Sequence, residues 1–257
     1  MAFTCGTSAQ PPTVPEQTLK QAFQGHPGAF VLIDGASGET FLSDPAACTE
    51  KLAPCSTFKI WNSAIGLETG LVEDPDALFW KWDGEKRSIE GWNQDQTLRS
   101  AMTVSCVPAY QALARKIGTE RMQKWIDTLD YGDRDISAGL EVFWLPKPPD
   151  RKTILITAEE QAQLVAKLAT WKLPFSAKTQ SVLADIMKVK STDRGTLYGK
   201  TGTGAEGRGD NSIGWFVGYV ESGGKTFAFA CLLKGEGVMG KDARGATETI
   251  LGSLELL

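Results

Sequence analysis

Histidine is nearly missing from this chain: 257 residues hold one, His26, in the polar turn Gln24-Gly25-His26-Pro27. A Ser-His-Asp triad has no support from a lone turn histidine, so any serine chemistry here needs another base. The five cysteines, Cys5, Cys48, Cys55, Cys106 and Cys231, form an odd set without the clustering of a metal site. Cys48 and Cys55 are close enough for a local disulfide in an oxidising compartment, and spacing alone leaves that open. No apolar stretch reaches the length of a membrane span. No Lys/Arg run relieves the net charge of −4, which argues against nucleic acid as a partner. The start, Met1-Ala2-Phe3-Thr4, has neither the basic nor the long apolar region of an export signal. That leaves a cytoplasmic protein, or an exported one whose signal was replaced by an initiator methionine.

What is present is an ordinary globular composition, 42% hydrophobic and 23% charged, long enough for a large core. The most informative motif is Ser56-Thr57-Phe58-Lys59, with Lys200-Thr201-Gly202 far downstream. A serine hydroxyl is a poor nucleophile at neutral pH, and a lysine three residues on lies one helical turn away, on the same face. Each motif alone is common. Their settings add weight: Pro54 and Cys55 precede the serine, and Ile60, Trp61, Ala64, Ile65 and Leu67 follow at mostly helical spacing. Ser56 therefore falls near a helix N-terminus, where free N–H groups favour developing negative charge. Lys200-Thr201-Gly202 continues the β-like Thr196-Leu197-Tyr198 and precedes a Gly-rich turn from Gly202 to Gly209.

Periodicity predicts a helix over Glu16–Gln24 and a hairpin from Phe30–Asp34 and Thr40–Leu42 across a Gly35–Gly38 turn. Helices follow over Ser56–Thr69 (closed by Gly70), Val107–Ile117 (ended by Gly118), Glu120–Leu129, Ala158–Trp171 and Lys178–Met187. Strands return at Gly195–Lys200, Ser212–Val220 and Lys225–Lys234, before a closing helix over Asp242–Leu254. The pattern is α+β: a sheet built from both chain ends, flanked by helices, with an inserted helical region. As one domain over 1–257, it divides into a sheet-containing subdomain (16–55 and 190–257) and a largely helical one (56–189).

Further signals fall in order: Ser105-Cys106-Val107 opening a helix, Tyr131-Gly132-Asp133 in a turn, Phe143-Trp144-Leu145 in a loop, and Ser212-Ile213-Gly214-Trp215-Phe216-Val217-Gly218-Tyr219 on the strand after Lys-Thr-Gly. With Pro54–Ile60, Gly66–Gly70, Lys81–Gly84 and Arg121–Lys124, they make nearly the whole chain resemble the class D (oxacillinase-type) serine β-lactamases. Ser105-Cys106-Val107 lacks the amide side chain of the Ser-Asx-Asn motif of class A enzymes and many penicillin-binding proteins. Asp133 departs from that family's pattern, where asparagine is usual; a carboxylate only accepts hydrogen bonds.

The resemblance implies a penicillin-recognising fold and β-lactam hydrolysis through an acyl-serine, with antibiotic resistance as its consequence. It implies Ser56 as nucleophile, Lys59 as an N-carboxylated base formed with carbon dioxide, Trp144 as indole donor to that group, and no metal or other cofactor. Ser105 would relay a proton to the leaving nitrogen beside Lys200. The backbone N–H groups of Ser56 and Thr203 would form the oxyanion hole, and Val107, Tyr131, Thr201, Gly202 and Arg244 would contact substrate, Thr201 and Arg244 at its carboxylate. The partners implied are small β-lactams, for a monomer or homodimer in the periplasm or secreted. Substrate spectrum is expected to rest on Trp92, Trp144 and the turn from Gly202 to Ser212. Two alternatives share the motifs: a β-lactam sensor that keeps its acyl group, and a penicillin-binding transpeptidase.

Overall fold

Strict alternation along the strands decides the architecture. Along the strand Lys225–Lys234, Phe227, Phe229, Cys231 and Leu233 enter one apolar core, while Ala228, Ala230 and Leu232 enter another. Phe30 and Leu32 divide in the same way from Ala29, Val31 and Ile33. A strand with both faces apolar is stable only when both are covered, so helices lie on each side of the sheet.

The computed structural model describes residues 13–146, 152–205 and 212–257. Along the chain these residues form α1 (Glu16–Phe23), β1 (Gly28–Asp34), β2 (Thr40–Leu42), α2 (Pro45–Cys48), a 3₁₀ turn at Cys55–Phe58, α3 (Lys59–Glu68), β3 (Leu78–Trp80), a second 3₁₀ turn at Glu90–Trp92, β4 (Gln96–Thr97), α4 (Leu98–Thr103), α5 (Val107–Ile117), α6 (Thr119–Leu129), α7 (Ala158–Ala169), α8 (Ala177–Met187), β5 (Lys188–Ser191), β6 (Gly195–Gly204), β7 (Ile213–Ser222), β8 (Lys225–Lys234) and α9 (Gly240–Ser253). The main sheet runs β2-β1-β8-β7-β6-β5, every pair antiparallel. It joins strands from both ends of the chain, as the sequence predicts. α1 and α9 cover one face; α7 lies on the other, where the small Ala228 and Ala230 let it approach. Behind α7, that core runs unbroken into α3, α5, α6 and α8.

Two local details set up the site. α3 is not one continuous helix from Ser56: Cys55–Phe58 winds as a 3₁₀ turn and α-geometry begins at Lys59. Three residues per turn eclipse positions i and i+3, so Lys59 stacks over Ser56 more directly than in an α-helix. Second, β6 is four residues longer than its alternation predicts. β5 pairs with β6 only between Thr196 and Tyr198, whereas β7 pairs with it as far as Gly204. Residues 199–204 thus form an edge with no strand on its outer side among the described residues, packed against the Cys55–Phe58 turn.

Candidate active site

Ser56 Oγ lies 2.6 Å from Lys59 Nζ, and Ser105 Oγ lies 3.0 Å from the same nitrogen. Three elements meet there: the 3₁₀ turn, the start of α3, and the bend between α4 and α5. Ser105 is not the cap of α5, which begins after Cys106 with no side-chain cap bond. It sits instead at φ +54, and Cys55, just before the nucleophile, at φ +52. Left-handed backbone at a residue with a side chain costs about 1–3 kcal/mol, and such outliers gather at functional sites. Here they turn two hydroxyls toward one amine.

Lys59 is wholly buried, with Nζ 4.9 Å from the ring centroid of Trp144 and 5.5 Å from that of Tyr110. Burial first, and the charge of Lys200 second, hold its amine well below the ordinary lysine range. Lys200 is also buried; its Nζ donates to Thr201 O at 3.0 Å, and desolvation brings its pKa down to about 7. The neighbouring thiols move the other way. Burial pushes Cys55 up to about 12 and raises Cys106, so both stay protonated and compete for neither role.

A cleft of about 370 Å³ opens over Ser56, lined also by Ser105, Thr201 and Thr203 and by apolar Val107, Leu145, Trp92, Ile89 and Met239. Thr203 is on the free edge of β6, and its hydroxyl accepts from Gly240 N at 2.9 Å, tying that edge to the start of α9. Gly202 contributes close approach: a Cβ there would stand 3.0 Å from Pro54 O and 3.1 Å from Thr57 Cγ2. Trp215, buried, donates to Ala53 O at 3.0 Å and anchors the segment that leads into the nucleophile.

Three expected substrate contacts do not line this cleft. Tyr131 is fully buried, edge-on to Phe58 and Trp61, and its ring supports the turn that holds Ser56. Arg244 borders a smaller neighbouring pocket of about 180 Å³ together with Lys200 and Thr201, and its Nε donates to Glu248 Oε1 at 2.7 Å, a pairing natural to the i, i+4 spacing on α9. Gly202 meets the Ser56 turn through close backbone packing.

Trp144 lies beneath the cleft, fully buried, and its indole N–H has no partner. An unpaired buried donor is costly, and it belongs to the ring against which Lys59 rests. Asp133 accepts from Leu155 N at 3.1 Å and Asp135 N at 3.3 Å. Both are donors to the same oxygen, Oδ1, so a carboxylate serves this turn as acceptor. Cys48 and Cys55 are free, buried thiols and form no disulfide; Cys5 and residues 206–209 of the Gly-rich turn lie outside the described residues. No cluster of three or more His, Cys, Asp or Glu able to hold a metal occurs among the described residues. Sequence reasoning missed Ile89 and Met239 on the cleft wall, and Gln161 below it; none sits in a motif, and only the tertiary fold brings them to the site.

The comparisons agree with this geometry. A family model described as the penicillin binding protein transpeptidase domain matches residues 28–253. A probable β-lactamase of Bacillus subtilis, YbxI, is 37% identical over 229 residues, 89% of this chain and 82% of that protein. The β-lactamase OXA-10 of Pseudomonas aeruginosa is 35% identical over 204 residues, covering 79% of this chain and 74% of its own. A solved class D β-lactamase from Bacillus subtilis superposes with a TM-score of 0.86 at 35% identity, over 96% of this chain and 99% of that one.

Proposed function

The chain belongs to the class D β-lactamases, and from that premise we propose that it hydrolyses β-lactams through an acyl group on Ser56, with Lys59 carrying the base. One observation carries the assignment of roles: an amine sheltered from water within 3.0 Å of two hydroxyls, one on the nucleophile and one on Ser105. Ser56 Oγ attacks the lactam carbonyl and its proton passes to the base at Lys59. The carbonyl oxygen, now anionic, is held by the N–H groups of Ser56 and Thr203, donors of a kind worth about 3–4 kcal/mol each. The C–N bond breaks, and Ser105 delivers a proton to the nitrogen, beside a Lys200 whose lowered pKa lets it share that proton. Thr201, at the cleft wall, binds the substrate carboxylate, with Lys200 behind it.

The site fits a carboxylated Lys59. Carbon dioxide adds only to an unprotonated amine, nitrogen bonding to carbon as one proton leaves to solvent, and burial supplies that amine. The resulting anion needs a donor in an apolar pocket, and Trp144 has an indole N–H to spare. When present, the carboxylate supplies an oxygen base for the Ser56 proton and for the water that releases the acyl group. Hydrolysis of this kind outside the cytoplasm, in the periplasm or after secretion, confers resistance.

Intact-mass spectrometry after seconds of penicillin exposure tests the first step. The expected result is a penicillin-mass adduct mapped to Ser56 that decays as product forms; no adduct in the wild type, or one mapped elsewhere, overturns the nucleophile. pH tests the second. Since burial depresses the Lys59 pKa, its neutral form is lost as pH falls through that lowered value. Activity in bicarbonate-depleted buffer is expected to drop on the acid side and recover when bicarbonate is added. Equal activity with and without bicarbonate would count against carboxylation.

A further inference from the structure

Directly under the nucleophile lies a buried polar cluster that the reaction, as derived above, does not use. Thr57 Oγ1 stands 2.7 Å from Pro54 O and 2.9 Å from the amide oxygen of Gln161, which comes from α7, 104 residues along the chain. A hydroxyl carries one proton and cannot donate to both. Gln161 is 1% exposed, yet its amide nitrogen has no partner. Turning that amide through 180° removes both difficulties: Gln161 donates to Thr57 Oγ1, and Thr57 donates to Pro54 O. Thr57 then gives one hydrogen bond, to Pro54 O, and accepts one, from Gln161.

The position of this cluster gives it a consequence. Pro54 O also accepts from Thr57 N at 3.2 Å, so one carbonyl closes the 3₁₀ turn that presents Ser56. The other side of that turn is the surface on which Gly202 rests, where even a Cβ would come within 3.0 Å of Pro54 O and 3.1 Å of Thr57 Cγ2. The separation between Ser56 N and the edge of β6, across which an oxyanion would bind, is therefore set by where Thr57 sits. Gln161 is itself well fixed. It follows the capping box at the start of α7, where Thr157 Oγ1 accepts from Glu160 N at 3.0 Å and Thr157 N donates to Glu160 Oε2 at 2.8 Å. A capped helix resting on the sheet makes a rigid reference for a strained turn.

We propose that Gln161 is a positioning residue for acylation, holding the Ser56 turn against β6 through the hydroxyl of Thr57. The inference rests on Ser56 as the nucleophile.

Pre-steady-state acylation by a chromogenic cephalosporin separates positioning from mere stability. A loss of folded protein shows in circular dichroism and melting temperature; a misplaced turn lowers the acylation rate constant of fully folded protein. Gln161→Met keeps length and apolar fit but has no amide, and its acylation rate constant is expected to fall roughly ten- to a hundredfold with the fold retained. Thr57→Val, a near-isostere without the hydroxyl, is expected to fall equally, Thr57→Ser to regain most of the loss, and the double variant Gln161→Met/Thr57→Val to match Thr57→Val alone. A Gln161→Met rate within twofold of wild type overturns the proposal, as does a double variant in which the two losses multiply. If Gln161→Met does not fold, the valine and serine pair decides, and Thr57→Val acylation as fast as wild type overturns it. A wild-type protein not acylated at Ser56 sinks the nucleophile assignment instead, so the two failures are distinct.

Discussion

Lys59→Met is expected to lower kcat/KM for penicillins by about 10²–10⁴-fold, the range in which a positioned base contributes to proton transfer. Methionine keeps the unbranched stem against Trp144 and Tyr110 and removes only the nitrogen within reach of Ser56 and Ser105. The same substitution is expected to stabilise the fold. In the unfolded chain this lysine takes up a proton near its ordinary pKa; in the native protein, burial holds it well below that value. Between the two, the unfolded state binds the extra proton, so native stability falls as pH drops from the ordinary lysine range toward neutrality. The methionine variant has no such loss. Its melting temperature at pH 7 is expected to exceed that of the wild type, with a gap that narrows as pH rises toward 10. A variant that is inactive and less stable would mean that Lys59 is structural; full activity would remove the base from the mechanism altogether.

That opposition between stability and activity recurs around the site. Two left-handed residues, Cys55 and Ser105, two buried lysines and an unpaired indole are each unfavourable in isolation. They are concentrated within one small region whose surroundings are otherwise well matched: α3 is buried from Lys59 to Gly66, and Phe58 packs against Tyr131, Phe143 and Trp144. A rigid apolar shell is what allows such groups to persist.

The same contrast explains what could be read from the chain. Elements with strong periodicity, such as the alternating β8 or the Val107–Ile117 helix ended by Gly118, were legible to within a residue or two. The Ser56–Lys59 spacing gave the reacting pair because the eclipsed 3₁₀ geometry needs only local sequence. The length of β6 was not legible, since its last residues, Thr201 to Gly204, alternate small and polar and owe their extended form to pairing with Phe216, Trp215, Gly214 and Ile213. The places of Tyr131 and Arg244 off the cleft wall were not legible for a related reason. A turn tyrosine and a helix arginine show nothing in sequence of which way they face, and that depends on packing against Phe58 in one case and pairing with Glu248 in the other. Gln161 was invisible because its partner lies 104 residues away.

Trp144→Phe is expected to slow release of the acyl group by roughly ten- to a hundredfold while changing acylation far less. The reasoning is one of hydrogen-bond inventory. Phenylalanine preserves the aromatic packing against Phe58 and most of the ring face under Lys59, so the cavity left behind is small. What disappears is a buried indole N–H that has no partner among the described residues. A hydrogen bond to a charged group is worth about 1.5–3 kcal/mol, which converts to that range of rate if the bond is to the Lys59 carboxylate. Acylation can proceed from whatever carboxylated fraction exists when substrate arrives, whereas release must wait on the same group for as long as the acyl-enzyme lasts. Loss of the anion at that stage leaves the adduct stranded. Added bicarbonate is therefore expected to restore turnover in Trp144→Phe at concentrations well above those that saturate the wild type, and the lifetime of the Ser56 adduct by mass spectrometry should shorten in step. Equal slowing of both steps, or a defect that bicarbonate does not touch, would show that the tryptophan serves packing alone and that its orphan N–H is an unrelieved cost of the fold.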